Sequence, residues 1–155
     1  MKINGVIVGG PNEEVLVLPR GDQMVPFVGR AISDFESFDA ACPAPKVPVR
    51  LTPKGREENH DDPGYKQLVE QYNEKRMGWM VIETLKPSNI EWDKVDPEKP
   101  STWRHWQDDF KAAGFTQIEA GHILRHVMEV NCLDEEKLKW ARDVFLRGQQ
   151  PTPES

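Results

Sequence analysis

Three side chains in the last third of the chain could share a metal ion. Glu119, His122 and His126 are spaced three and four apart, so on a helix they fall along one face. A carboxylate and two imidazoles are ligands that a transition metal accepts. A closed site needs a fourth ligand, and Cys132 or His105 would have to fold in to supply it. Dependable zinc patterns carry paired Cys or His clusters, or HExxH, and the chain has neither. The plainer expectation is a pair of solvated or half-buried imidazoles on a helix flank, with no cofactor.

Paired carboxylates are the other candidates for chemistry. Asp61–Asp62, Asp108–Asp109 and Glu135–Glu136 could serve as acid and base only in a shared cleft that drives their pKa values apart. Each pair instead falls at an expected helix start or polar face, where acids favour the helix dipole or water. Gly9–Gly10 and Gly55 lack the surroundings of a phosphate loop and read as turns. Neither Cys42 nor Cys132 has the neighbouring His and acid of a thiol nucleophile, and no CxxC is present. Two reduced cytosolic thiols are expected, and no enzyme.

Composition narrows the class further. The 155 residues suit one domain, or one core with a small satellite. A hydrophobic share of 37% beside 30% charged is that of a water-soluble protein. The net charge of −6 argues against nucleic acid as a partner. No stretch has the length of a membrane span, and no charged-then-apolar leader opens the sequence.

The elements that would position these residues follow from local patterns. Residues 1–42 read as strands and a short helix. Lys2–Val8, Val15–Leu18 and Met24–Ile32 could form a three-stranded antiparallel meander, although Asn4–Gly5 could instead fold the first segment into a tight hairpin. Ser33-Asp34-Phe35-Glu36 has the form of a capping box opening a helix with Phe35 and Phe38 on one face. Residues 43–62 carry Pro43, Pro45, Pro48 and Pro53 and then GREENHDD, which predicts an extended connection and a charged surface loop.

Residues 63–148 should be helical. Asp62 and Pro63 mark the start of a long helix, and Pro87 forces its end near Lys86. Three short helices follow from Pro100 to Gly148, expected to be the stability core. The first starts at Ser101 or Thr102, carries Trp103, Trp106, Phe110 and Ala113, and stops at Gly114. Thr116 and Glu119 form a capping box for the second, whose apolar side is Ile118, Ile123, Leu124, Val127 and Met128. Asp134 caps the third, with Leu133 and Leu138 as a staple and Leu138, Ala141, Val144 and Phe145 on its inner face. Residues 149–155 are polar and proline-bearing, as in a disordered tail. The fold class is α+β: a small N-terminal β-meander, then a mainly helical part ending in a three-helix module.

The five tryptophans lie in the second half. Some must be core, and others can offer contact area at an interface. A groove for a partner helix is expected between the long helix and the C-terminal module, lined by Tyr72, Trp79, Trp103 and Trp140.

The order of these features resembles the small tail assembly chaperones of long-tailed bacteriophages of the siphovirus type. The stretches that carry the likeness are NGVIVGGPNEEVLVLPR, DFESFDAACPAP, YKQLVEQYNEKRMGWMVIETL, IEWDKVDPEKPSTWRHW, AGFTQIE and NCLDEEKLKWARDVFL. The resemblance implies a non-catalytic protein of the bacterial host cytoplasm that binds the tape measure protein and assists recruitment of tail tube subunits. It also implies partners that are the tape measure and major tail tube proteins, with self-association left open. Two alternatives stand beside it: a structural virion protein of the tail or head completion, and a metal protein or enzyme built on Glu119, His122 and His126.

Overall fold

Local chain chemistry sets most of the boundaries in the computed structural model, which describes residues 1–148. The disordered tail expected over 149–155 lies outside the described residues. The architecture is α+β, with antiparallel hairpins followed by helices.

The expected meander is two separate hairpins. Strands β1 (Lys2–Ile3) and β2 (Val6–Ile7) turn at Asn4 and Gly5, both at positive φ, which is the tight turn allowed by the Asn-Gly pair. Gly9-Gly10-Pro11 then breaks the chain, so no ladder joins this hairpin to the next. Strands β3 (Glu13–Arg20) and β4 (Gln23–Arg30) pair along eight residues each, closing on Gly21 at φ +57°.

The register of β3 and β4 gives the hairpin two unlike faces. Leu16, Leu18, Val25 and Phe27 turn toward the helices, with Leu18 and Phe27 buried. Val15, Val17, Met24 and Pro26 point outward and are exposed. Ser88 holds β4 in place: its hydroxyl accepts from the Val28 N–H at 2.7 Å and donates to the Val28 carbonyl at 2.8 Å.

Helix α1 (Glu36–Ala41) starts two residues later than a Ser33 cap requires. The Asp34 carboxylate accepts from the Glu36 N–H at 3.0 Å, and no capping box forms. The stretch 43–62 is not a featureless connection. Strands β5 (Val49–Thr52) and β6 (Gly55–Glu58) pair across Pro53–Lys54, with Gly55 at φ +112° and the Thr52 hydroxyl donating to the Gly55 carbonyl. The prolines flank this exposed hairpin or sit in its turn, so none removes a ladder hydrogen bond.

Helix α2 (Pro63–Thr84) begins as expected, with the Asp62 carboxylate accepting from the Tyr65 N–H at 2.9 Å. Its first half is largely exposed. Its second half is buried all round from Gly78 to Ile82, where it becomes the central element. A 3₁₀ turn (Lys86–Ser88) ends it, and Asn89 at φ +52° redirects the chain.

A 3₁₀ segment (Pro100–His105) leads into α3 (Trp106–Ala112), so the first module helix is split and no hydroxyl caps it. The Thr102 hydroxyl instead serves the preceding loop, accepting from the Asp96 N–H and donating to the Asp96 and Lys99 carbonyls. Asp109 is buried on α3, where its carboxylate accepts from the Lys94 and Val95 N–H groups. Helix α4 (Gln117–Val130) carries the expected capping box: Thr116 accepts from the Glu119 N–H, and Glu119 accepts from the Thr116 N–H. Ile118, expected inside, is exposed; Ile123, Val127 and Val130 are fully buried.

The core therefore joins the hairpin β3–β4, the second half of α2, the 3₁₀ segment, α3 and α4. Phe38 sits among Tyr72, Trp79 and Trp103, and Phe27 packs edge-on against Phe110 and Phe115. Helix α5 (Glu135–Gly148) is not part of it. None of its residues is buried, and no other element packs extensively along it.

Candidate protein-binding surface

The groove expected between α2 and the C-terminal module is closed. Trp79 is 6% and Trp103 3% exposed, and both rings lie in the core around Phe38. Gly78 lets the two segments touch: a Cβ there would overlap the Trp103 carbonyl. The Trp103 indole N–H donates to the Pro97 carbonyl at 3.1 Å, which satisfies its one polar atom. Tyr72 is half-buried with its ring 5.5 Å from Phe38. Of the four residues expected to line a binding groove, Trp140 alone stands open, at 55% exposure on α5. The four are not brought together.

The three candidate metal ligands are also put to different uses. Glu119 closes its own helix cap and takes Arg20 of β3, which donates to its two carboxylate oxygens at 2.5 and 2.9 Å. The Arg20 guanidinium, followed by the Thr116 hydrogen bond, holds the Glu119 carboxyl below the usual range. His122 is exposed on the groove between β3 and α4, beside Glu14, Arg125 and Glu129. His126 is not a solvated flank residue: it is 5% exposed, and its Nε2 has no hydrogen-bond partner among the described residues.

The reason is the close approach of the hairpin. A Cβ at Gly29 would lie 3.0 Å from His126 Nε2, 3.1 Å from Val130 and 3.3 Å from Thr84. His126 Nε2 thus lies against Gly29 of the strand, and desolvation lowers the His126 pKa from the ordinary 6.5, with a hydrogen bond to the Phe27 backbone opposing. Among the described residues, no cluster of three or more His, Cys, Asp or Glu is placed to hold a metal. Asn131 secures the same junction, accepting from the Ile32 N–H and donating to Thr84 and Val127.

What the sequence pattern expected inside is outside. Leu138, Val144, Phe145 and Trp140 are all exposed on α5, and Leu133 before it is too. Leu138, Ala141, Val144 and Phe145 recur at helical spacing, so α5 presents an apolar stripe. Its first turn is anchored. The Asp134 carboxylate accepts from the Glu136 N–H, Lys137 reaches Glu14 of β3 at 2.8 Å, and Arg125 of α4 lies 3.9 Å from Asp134. The Glu14 carboxylate raises the Lys137 pKa. Beyond Lys137 the apolar side of the helix is exposed, and Lys139, Arg142 and Arg147 are exposed on the rest of its surface. An exposed apolar stripe of this kind has the chemistry to pack against another helix.

Comparison with known proteins returns no matching family model, no matching curated protein and no matching solved structure. Among the described residues no helix is long and apolar enough to cross a membrane.

Proposed function

We propose that this chain is a non-catalytic assembly protein that captures its partner on α5. The observation that carries this reading is the apolar stripe of Leu138, Ala141, Val144 and Phe145 on a helix with no buried residue. An uncovered stripe of this kind favours a bound helix, because isolated amphipathic faces gain most of their stability from packing.

The partner proposed is the tape measure protein of a long-tailed phage, with the chain acting as a tail assembly chaperone in the host cytoplasm that assists recruitment of tail tube subunits. The resemblance in feature order supports this. The exposed stripe supports it as well, because a chaperone must hold a long helical partner soluble and then release it.

Co-expression with the tape measure protein tests the reading. The chain should co-purify with that protein, keep it soluble, and be absent from purified particles by mass spectrometry. A stoichiometric presence in mature particles would replace the chaperone with a structural virion protein.

A further inference from the structure

The hairpin β3–β4 has two edges, and they are finished differently. On β4, Pro26 has no N–H to offer, and Ser88 takes both the N–H and the carbonyl of Val28. The Ser88 bonds also fix which residues bond across the ladder. Val28 turns its backbone groups away from β3, so Val15 opposite it turns away from β4. The alternation of an antiparallel ladder carries this pattern to Glu13, Val17 and Pro19. The N–H and carbonyl groups of Glu13, Val15 and Val17 therefore point out along the free edge of β3, and among the described residues no hydrogen bond reaches them. The groove between β3 and α4 opens beside Val15 and Leu16. One edge is closed, and the other presents a row of donors and acceptors that an extended strand matches.

That row is complementary to itself. Two β3 strands lying antiparallel about an axis at Leu16 set Val15 against Val17 of the second copy, and Leu16 against Leu16. Each Val15–Val17 pair can exchange two hydrogen bonds, because both residues have both groups free. The Glu13 N–H of each copy then donates to the Pro19 carbonyl of the other, so the missing N–H of Pro19 is not needed. Glu14 falls opposite Leu18 and diagonal to Arg20 on the same face, where opposite charges meet. Neighbouring registers match less well. An axis at Val15 sets Glu13 against Val17 and Glu14 against Leu16. An axis at Val17 sets Val15 against Pro19, which has no N–H to return.

We infer that β3 pairs antiparallel with β3 of a second copy of this chain, about a two-fold axis at Leu16, joining the two hairpins into one four-stranded sheet. The contact uses the same edge on both copies, as a closed two-fold interface requires. It also turns a two-stranded ribbon into a sheet of the usual size. The eight residues of β3 span about 27 Å, so a strand pair alone buries less than the roughly 1,600 Å² of a standard stable interface. The dimer is weak and exchanges with monomer. It leaves α5 uncovered, so it stands apart from the proposed capture of a partner on that helix.

Sedimentation of the full chain from about 10 µM to about 1 mM should show the average mass rising from one chain toward two. Val15→Pro removes an N–H that β4 does not use, so circular dichroism should stay near wild type while the dimer weakens at least about tenfold. Val15→Thr keeps that N–H and should dimerise like wild type. Cross-linking reads the register. In a Cys132→Ser background with diamide as oxidant, Val15→Cys mixed with Val17→Cys should form a disulfide at least about fivefold faster than either variant alone. Directly opposed Cα atoms lie about 5.5 Å apart and diagonal ones about 7–8 Å, against a limit near 7 Å for a disulfide. A monomer at every concentration overturns the inference. So does a Val15→Pro dimer as tight as wild type, or Val15→Cys that links to itself faster than to Val17→Cys. None of these changes touches α5, so loss of the dimer with capture of the tape measure protein intact removes the inference and leaves the proposed function standing.

Discussion

Gly78 of α2 lies directly against the Trp103 carbonyl, with no room for a Cβ between them. This approach seals the long helix onto the 3₁₀ segment and turns Trp79 and Trp103 from expected contact rings into core. It also decides the sign of a substitution. Gly→Ala inside a helix normally stabilises by about 0.5–1 kcal/mol. Here overlap with backbone outweighs that gain, and Gly78→Ala should destabilise by about 1–3 kcal/mol in urea denaturation. A stabilised variant would show that α2 and the 3₁₀ segment are free to separate.

The tryptophans should divide by element. Trp103→Ala and Trp79→Ala remove buried rings and should each cost about 3–5 kcal/mol, as should Trp106→Ala and Phe110→Ala. Trp140→Ala removes an exposed ring and should stay within about 0.5 kcal/mol of wild type. Chemical denaturation of the set checks this, and a costly Trp140 variant would mean that α5 is packed after all.

His126 should make stability depend on pH. Its folded pKa is depressed below the ordinary 6.5, chiefly by desolvation, with a hydrogen bond to the Phe27 backbone and then the charges of Glu14 and Glu129 opposing. Between the folded and unfolded values the unfolded chain binds more protons, so stability rises with pH in that window. The contribution is complete above about 6.5 and is lost as pH falls through the folded value. Thermal melts of wild type and His126→Gln across pH 4.5 to 8 should converge toward the acid end. Parallel curves would show that the imidazole charges without penalty. His126→Ala, in contrast to His122→Ala, should destabilise the fold, because it empties space beneath Gly29.

Much of this fold is legible in the chain because it is decided locally. The Thr116–Glu119 capping box, the Asp62 cap with Pro63, the stop at Gly114 and the Asn4–Gly5 turn each need only a few adjacent residues. The β5–β6 hairpin was legible too, in Thr52-Pro53-Lys54-Gly55, but the proline count around it masked the turn chemistry. The candidate surface was harder to read. Periodicity showed an apolar stripe on α5 and an aromatic row on α2, and it cannot say which of the two is covered. That depends on long-range approach: Gly78 against Trp103, Gly29 against His126, and Arg20 reaching Glu119 across the fold. Short local spacing cannot encode those meetings.

Capture of the tape measure protein by α5 variants tests the central claim most directly. Wild type and Val144→Asp or Phe145→Ser would be co-expressed with it and recovered by pull-down, with melting of each variant measured in parallel. The account predicts that wild type and Trp103→Phe, which keeps an aromatic ring in the core, retain the partner. It predicts that the two α5 variants lose most of it while melting within a few degrees of wild type. Undiminished capture by well-folded α5 variants would contradict the account and place the binding surface elsewhere.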